Sequence, residues 1–373
     1  MSSLALSCHV LLGLDDPSFG IASDAGTEVD AAADAADAED LTCAFGVQPP
    51  GPPSGDNPPV GERYTMAVRT LRLGGAPGDG FDLDHACTCF GEGRAGQPSC
   101  VPPKEAIVPE ACDDDGGVDN AIRSWLTRTI PTLGQTLSDE INMDIACGRR
   151  TLVFSLQDYN GEADDPEVTV HAFASFGIHE ASDAQAPECP PGLRSKWDGK
   201  DKWSVDKDLI QLQNLPTGTG FVGYVRNHTL VVDSRKQKDL SVPMPGVGNP
   251  SIEVRYPVLR ATLIREGDGW GLADGIIGGR ISQQALPSLA RMKIIAGGAG
   301  VPACTLGASW DQFRDSFCNY SDLRTNPAED FKDLPCDALS FVVSFTASPA
   351  EYLPADVPVE PLPDCGSVNV GCD

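Results

Sequence analysis

Thr151-Leu152-Val153-Phe154-Ser155-Leu156 carries Leu152, Phe154 and Leu156 at every second position, and Val168 to Phe176 repeats that period of two a few residues later. Successive side chains of an extended chain point to opposite faces, so the pattern predicts two half-buried strands. Reading outward, Tyr64 to Leu73, Phe221 to Val225, Thr229 to Val232 and Leu339 to Phe345 have the same character. Arg226-Asn227-His228 suits a hairpin connection between two of them. Ile252 to Ile264 alternates over a length that suits one long strand or two. A chain with 39 glycines and 31 prolines has many turns and little room for long helices.

One segment breaks the pattern. From Asp119 to Cys147, apolar residues Ile122, Trp125, Leu126, Leu133, Leu137 and Ile141 recur at helical spacing, with Asp119 placed as a cap. Pro131 and Gly134 should interrupt that helix, and Gly148 with Arg149 and Arg150 should stop it. A shorter helix is expected from Ser282 to Met292. The expected fold class is therefore mostly β (α+β), an antiparallel β-sandwich-like body with one kinked helix packed on it, rich in disulfides.

Thirteen cysteines in a reducing cytosol would be free thiols, whereas an oxidising compartment joins them. Cys8 stands apart, leaving an even set of twelve: Cys43, Cys87, Cys89, Cys100, Cys112, Cys147, Cys189, Cys304, Cys318, Cys336, Cys365 and Cys372. Seven precede the cysteine-free stretch between Cys189 and Cys304 and five follow it. Both counts are odd, so complete pairing within the chain requires at least one bridge from the early group to the late one. That bridge argues for a single body.

Leu4-Ala5-Leu6-Ser7-Cys8 resembles the lipobox of bacterial lipoproteins, whose cysteine is acylated. Residues 1–7 are then the remnant of an export signal. Residues 8–42 form a lipid-anchored tether, because Asp24 to Asp40 is built almost wholly of Ala, Asp and Glu and has no apolar face to bury. Residues 43–373 form the β-rich body, with a possible sub-lobe boundary near 241–251. Leu12-Gly13-Leu14-Asp15-Asp16, the Ala/Asp tract and Cys336-Asp337-Ala338-Leu339-Ser340 together resemble the uncharacterised secreted lipoproteins of myxobacteria and related large-genome bacteria. That resemblance implies a place in the cell envelope, at the outer membrane or extracellular surface, and implies no activity.

With 27 basic and 54 acidic residues the chain carries a net charge of −27, which repels nucleic acid. The partners expected are a membrane, reached through the lipid, and a glycan or protein ligand. Asp113, Asp115 and Asp119 lie in a glycine-bent loop whose oxygen density suits Ca²⁺, although the spacing is not that of an EF-hand. His85, Cys87, Cys89 and Cys100 have zinc-ligand chemistry, but disulfides compete for the thiols. Trp197 and Trp203 bracket a polar stretch and offer flat surfaces for sugar rings. Gly218 to Gly223 fits the spacing GxGxxG but precedes a strand, so it reads as a turn; Gly267 to Gly271 with Asp274-Gly275 likewise reads as a turn between strands. The sequence contains no HExxH, nucleophile elbow or P-loop. A non-catalytic surface or binding module is the expectation, with a glycan-acting hydrolase or a purely structural envelope protein as alternatives.

Overall fold

The computed structural model describes residues 48–55, 62–86, 98–103, 113–114, 117–129, 133–179, 189, 194–207, 220–235, 241–245, 251–291, 293–296, 299–356 and 364–372. Cys8, the Asp24–Asp40 tract, Cys43, Cys87, Cys89, Cys112 and Asp115 lie outside these residues. All described residues belong to one compact unit, Leu41–Asp373.

The body is mostly β. Its strands are β1 (Arg63–Leu73), β2 (Thr151–Gln157), β3 (Asp165–Ile178), β4 (Lys202–Asp206), β5 (Phe221–Arg226), β6 (Thr229–Asp233), β7 (Ser241–Pro245), β8 (Ser251–Glu266), β9 (Gly269–Ser282), β10 (Lys293–Ala296), β11 (Ala299–Pro302), β12 (Ala338–Pro349) and β13 (Glu351–Ala355). The helices are α1 (Ala121–Thr129), α2 (Leu133–Ala146), α3 (Leu286–Ala290) and α4 (Ala308–Asn319). The expected helix is thus two helices with Pro131 between them. Asn120, rather than Asp119, caps α1: its side-chain oxygen accepts from the Arg123 N–H at 3.3 Å.

Strand pairing runs β3–β2–β1–β12–β9–β8–β6–β5, and β5 then pairs back to β3 through Phe221 with Val170 and Gly223 with Val168. Each of these pairings is antiparallel. The two layers expected of a sandwich are therefore continuous around a ring, an eight-stranded barrel. β3 is long enough to pair with β5 along its first half and with β4 along its last residues; β13 lies parallel to β4, and β7 adds to the start of β8. The turn between β5 and β6 has Asn227 and His228 at φ 49° and 59°, the left-handed geometry of a type I′ hairpin.

Alternation fills the barrel. Met66, Val68, Leu152, Phe154, Leu156, Val170, Phe221, Val232, Leu259, Leu263, Ile277, Phe341, Val343 and Phe345 are all buried in one cluster. Burial of each large side chain contributes about 1.5–3 kcal/mol. The void left among Phe154, Val170, Phe221, Val232, Leu259 and Ile277 is about 10 Å³, room for a single water at most. Tyr64, Tyr159 and Trp270 close one end, with ring centroids 6.1 and 5.3 Å apart. Helices close the other, where Trp125 of α1 meets Phe313 and Phe317 of α4 at 4.9 and 6.2 Å.

Two smaller clusters cover the outside of the barrel. Ala67, Val153, Phe173, Trp203, Val205 and Ala350 pack β4 over β1–β3, and Phe81, Leu83, Leu323 and Val342 pack the segments near 80–84 and 321–337 over β8, β9 and β12. Arg280 of β9 fastens the second cover: both guanidinium amino groups donate to Asp330, at 2.9 and 2.7 Å, and one also donates to the Leu83 carbonyl at 2.9 Å. Four disulfides join the described residues: Cys100–Cys336, Cys147–Cys189, Cys304–Cys365 and Cys318–Cys372. The first links the early cysteines to the late ones, as the odd counts require.

Candidate functional site

Because the barrel interior is filled, the place to look for a binding site is its outer surface. β1 and β2 stay paired only up to Ala67 and Val153. Above that point α2 takes the place of β2 beside β1. The Asn142 amide donates to the Leu71 carbonyl and accepts from the Leu71 N–H, both at 2.8 Å, while Ser138 Oγ accepts from the Leu73 N–H at 3.2 Å. A register shift between Val68 and Thr70 lets this half of the strand bend. Thr70 and Arg72 consequently face outward beside β12.

The register then sets one cross-strand row: Arg72 opposite Ser344, Ser344 opposite Ile276, and Ile276 opposite Arg260. One step away, the Thr70 and Thr346 hydroxyls lie 2.7 Å apart. Asp274 sits in the bulged part of β9 with φ 48°, and Asp79 belongs to a turn in which it accepts from the Ala76 N–H at 2.7 Å. These groups line an open groove of about 420 Å³. Neither Arg72 nor Arg260 makes an ion pair or side-chain hydrogen bond among the described residues, a state shared with Arg194, Arg255 and Arg291, while Arg123, Arg149, Arg150, Arg235, Arg280, Arg314 and Arg324 pair with carboxylates. Two guanidiniums without a partner among the described residues, at either end of the row Ser344–Ile276, can receive a ligand.

A second constellation lies under the cover of β8, β9 and β12. Asp82, Asp84 and Asp119 are each at most 3 % exposed, and their carboxylates offer oxygens within 4.8 Å of one another. Backbone N–H groups orient them: Leu83 donates to Asp119 at 2.6 Å, His85 to Asp82 at 2.6 Å and Ala86 to Asp84 at 2.9 Å. Asp322 is nearby and accepts from the Ser340 N–H and hydroxyl at 2.7 and 2.6 Å. Loss of water and then the Asp84 and Asp113 charges hold Asp119 well above the ordinary carboxylate range. Burial pushes Asp322 up to about 7 against the Ser340 hydrogen bonds, with Asp84 adding to the rise. The three clustered carboxylates could hold a hard cation or share protons, but no substrate reaches them.

The residues singled out from sequence fall as follows. Of the Ca²⁺ candidates, Asp119 belongs to the buried cluster, Asp113 acts on it through its charge, and Asp115 lies outside the described residues. The partners that sequence reading missed, Asp82 and Asp84, carried a signal: two carboxylates flank the apolar Leu83 in a short bent segment. Trp203 is fully buried against Ala67, Val153 and Phe173, which corrects its reading as a sugar platform. Trp197 packs on it with centroids 5.9 Å apart, in a loop organised by Asp201, which accepts from the Trp197 N–H at 2.7 Å. These two tryptophans hold a loop to the sheet. His171 is buried and stacked on Phe173. Cys100 is bonded to Cys336, so it is no zinc ligand. No family model, no curated protein and no solved structure matches this chain.

Proposed function

We propose that this chain is an exported cell-envelope protein, anchored by lipid at Cys8, that binds a small polar ligand in the outer groove without turning it over. The groove itself carries the reading, being an open polar cavity of about 420 Å³, within the range of small-molecule sites. Binding is favoured over hydrolysis because the carboxylates that burial raises furthest, Asp119 and Asp322, are buried and do not line the groove. At the groove, Asp79 accepts the Ala76 N–H through one oxygen and Asp274 stands exposed at the rim. Disulfides at four sites, one of them spanning 236 residues, support an oxidising compartment.

A glycan and small-metabolite binding screen on the purified chain, repeated with Ser344→Phe to fill the groove, tests the binding half. Ligands retained by the wild type and lost by the variant are expected. Turnover of a glycan that Asp79→Asn or Asp274→Asn abolishes would replace this reading with the hydrolase. Radioactive palmitate should label the wild type and not Cys8→Ser, and equal labelling would remove the anchor.

A further inference from the structure

Resting on the groove as the binding site, we infer that its ligand is a monoanionic, hydroxyl-bearing molecule of the sugar-acid class, held by its carboxylate between Arg72 and Arg260. The groove is built from four strands, and its cations sit at opposite ends of one register row, Arg72 on β1 and Arg260 on β8. Three strand spacings separate their backbones, about 14 Å, and both side chains line the same cavity.

The two guanidiniums have no ion pair or side-chain hydrogen bond among the described residues, in a chain where acidic residues outnumber basic ones 54 to 27. What sets them apart from the other unpaired arginines is that both line one cavity, where their donors are open to an external anion. A guanidinium presents a planar fork of N–H donors that matches a carboxylate with two parallel hydrogen bonds. Between the two cations the row holds Ser344 and then the apolar Ile276, so the hydroxyls lie toward Arg72. Ser344 stands beside Arg72 in the row, and the Thr70 and Thr346 hydroxyls, 2.7 Å apart, stand one step away, so each can donate to or accept from a ring hydroxyl.

The acidic groups limit how much negative charge can enter. Asp79 and Asp274 line the same cavity and, like the net charge of −27, oppose a polyphosphate or polyanion while accepting hydrogen bonds from sugar hydroxyls. One carboxylate matched by two guanidiniums, with hydroxyls matched by serine, threonines and aspartates, is the arrangement these walls complement.

Isothermal titration of the full chain against glucuronate, galacturonate, a digalacturonate, glucose and inorganic phosphate tests this. Uronates should bind at least 10-fold more tightly than glucose, with affinity falling as salt rises. Arg72→Gln and Arg260→Gln, both surface changes, should each weaken uronate binding 10-fold or more and leave the melting temperature unchanged. Uronate binding that is indifferent to either arginine overturns the inference, as does phosphate binding as tightly as uronate. If glucose binds as well as the uronates and Ser344→Phe removes both, the groove stands as a binding site and the charge assignment falls. If nothing in the screen binds, both fall together.

Discussion

At the scale of single residues, the most consequential placement is that of carboxylates beneath the cover of β8, β9 and β12. Asp322 holds its proton up to about pH 7 in the folded chain, against a reference near 3.8. A carboxyl whose folded affinity for the proton is raised contributes stability that is fully present below the unfolded value and is lost as pH rises through the folded one. Asp119 shifts in the same direction. The chain in divalent-free buffer should therefore melt at a higher temperature at pH 5 than at pH 8. Asp322→Asn keeps an acceptor for the Ser340 N–H and gains a donor for its hydroxyl, so it should flatten that dependence; a variant as pH-sensitive as the wild type would show that the burial of Asp322 is not its origin.

Elements differ in how openly the sequence declares them. β2, β3, β5, β6 and β12 were legible because each lies half in the core, where an alternating pattern is a direct record of burial. The division into α1 and α2, ending at Thr129 and beginning at Leu133, and the stop at Gly148, which sits at φ 64°, were legible for equally local reasons. β9 was not. Gly267 to Gly271 and Asp274-Gly275 read as a turn, yet only Gly267 and Asp268 turn, and Gly269–Ser282 is a long central strand. Its glycines answer crowding that arises only after folding: a Cβ on Gly278 would stand 2.7 Å from the Phe81 ring, and one on Gly279 would stand 2.4 Å from a Val254 methyl and 3.0 Å from the Arg255 carbonyl. Gly279→Ala should thus destabilise the fold by about 1–3 kcal/mol in denaturant titration, an overpacking cost. The groove was hidden for a related reason, since Arg72, Arg260, Ile276 and Ser344 come together only through strand register. Its residues carry no shared local pattern.

For the molecule as a whole, the ring of strands and the bridges across it restrict the unfolded chain at very different lengths. Cys100–Cys336 closes a loop of 236 residues and Cys147–Cys189 one of 42. Loop-closure entropy grows with the logarithm of length, so replacing the first pair by serines should lower unfolding free energy by about 1–2 kcal/mol more than replacing the second. Chemical-denaturation midpoints of the two double variants would show the order, and equal losses would mean that native strain outweighs chain entropy. The place of β1 has a consequence in time as well. It lies between β2 and β12, and its partner on one side is not synthesised until residue 349 has been made. No ribosome-bound fragment that lacks β12 can seal the ring, so closure waits until the polypeptide is almost finished.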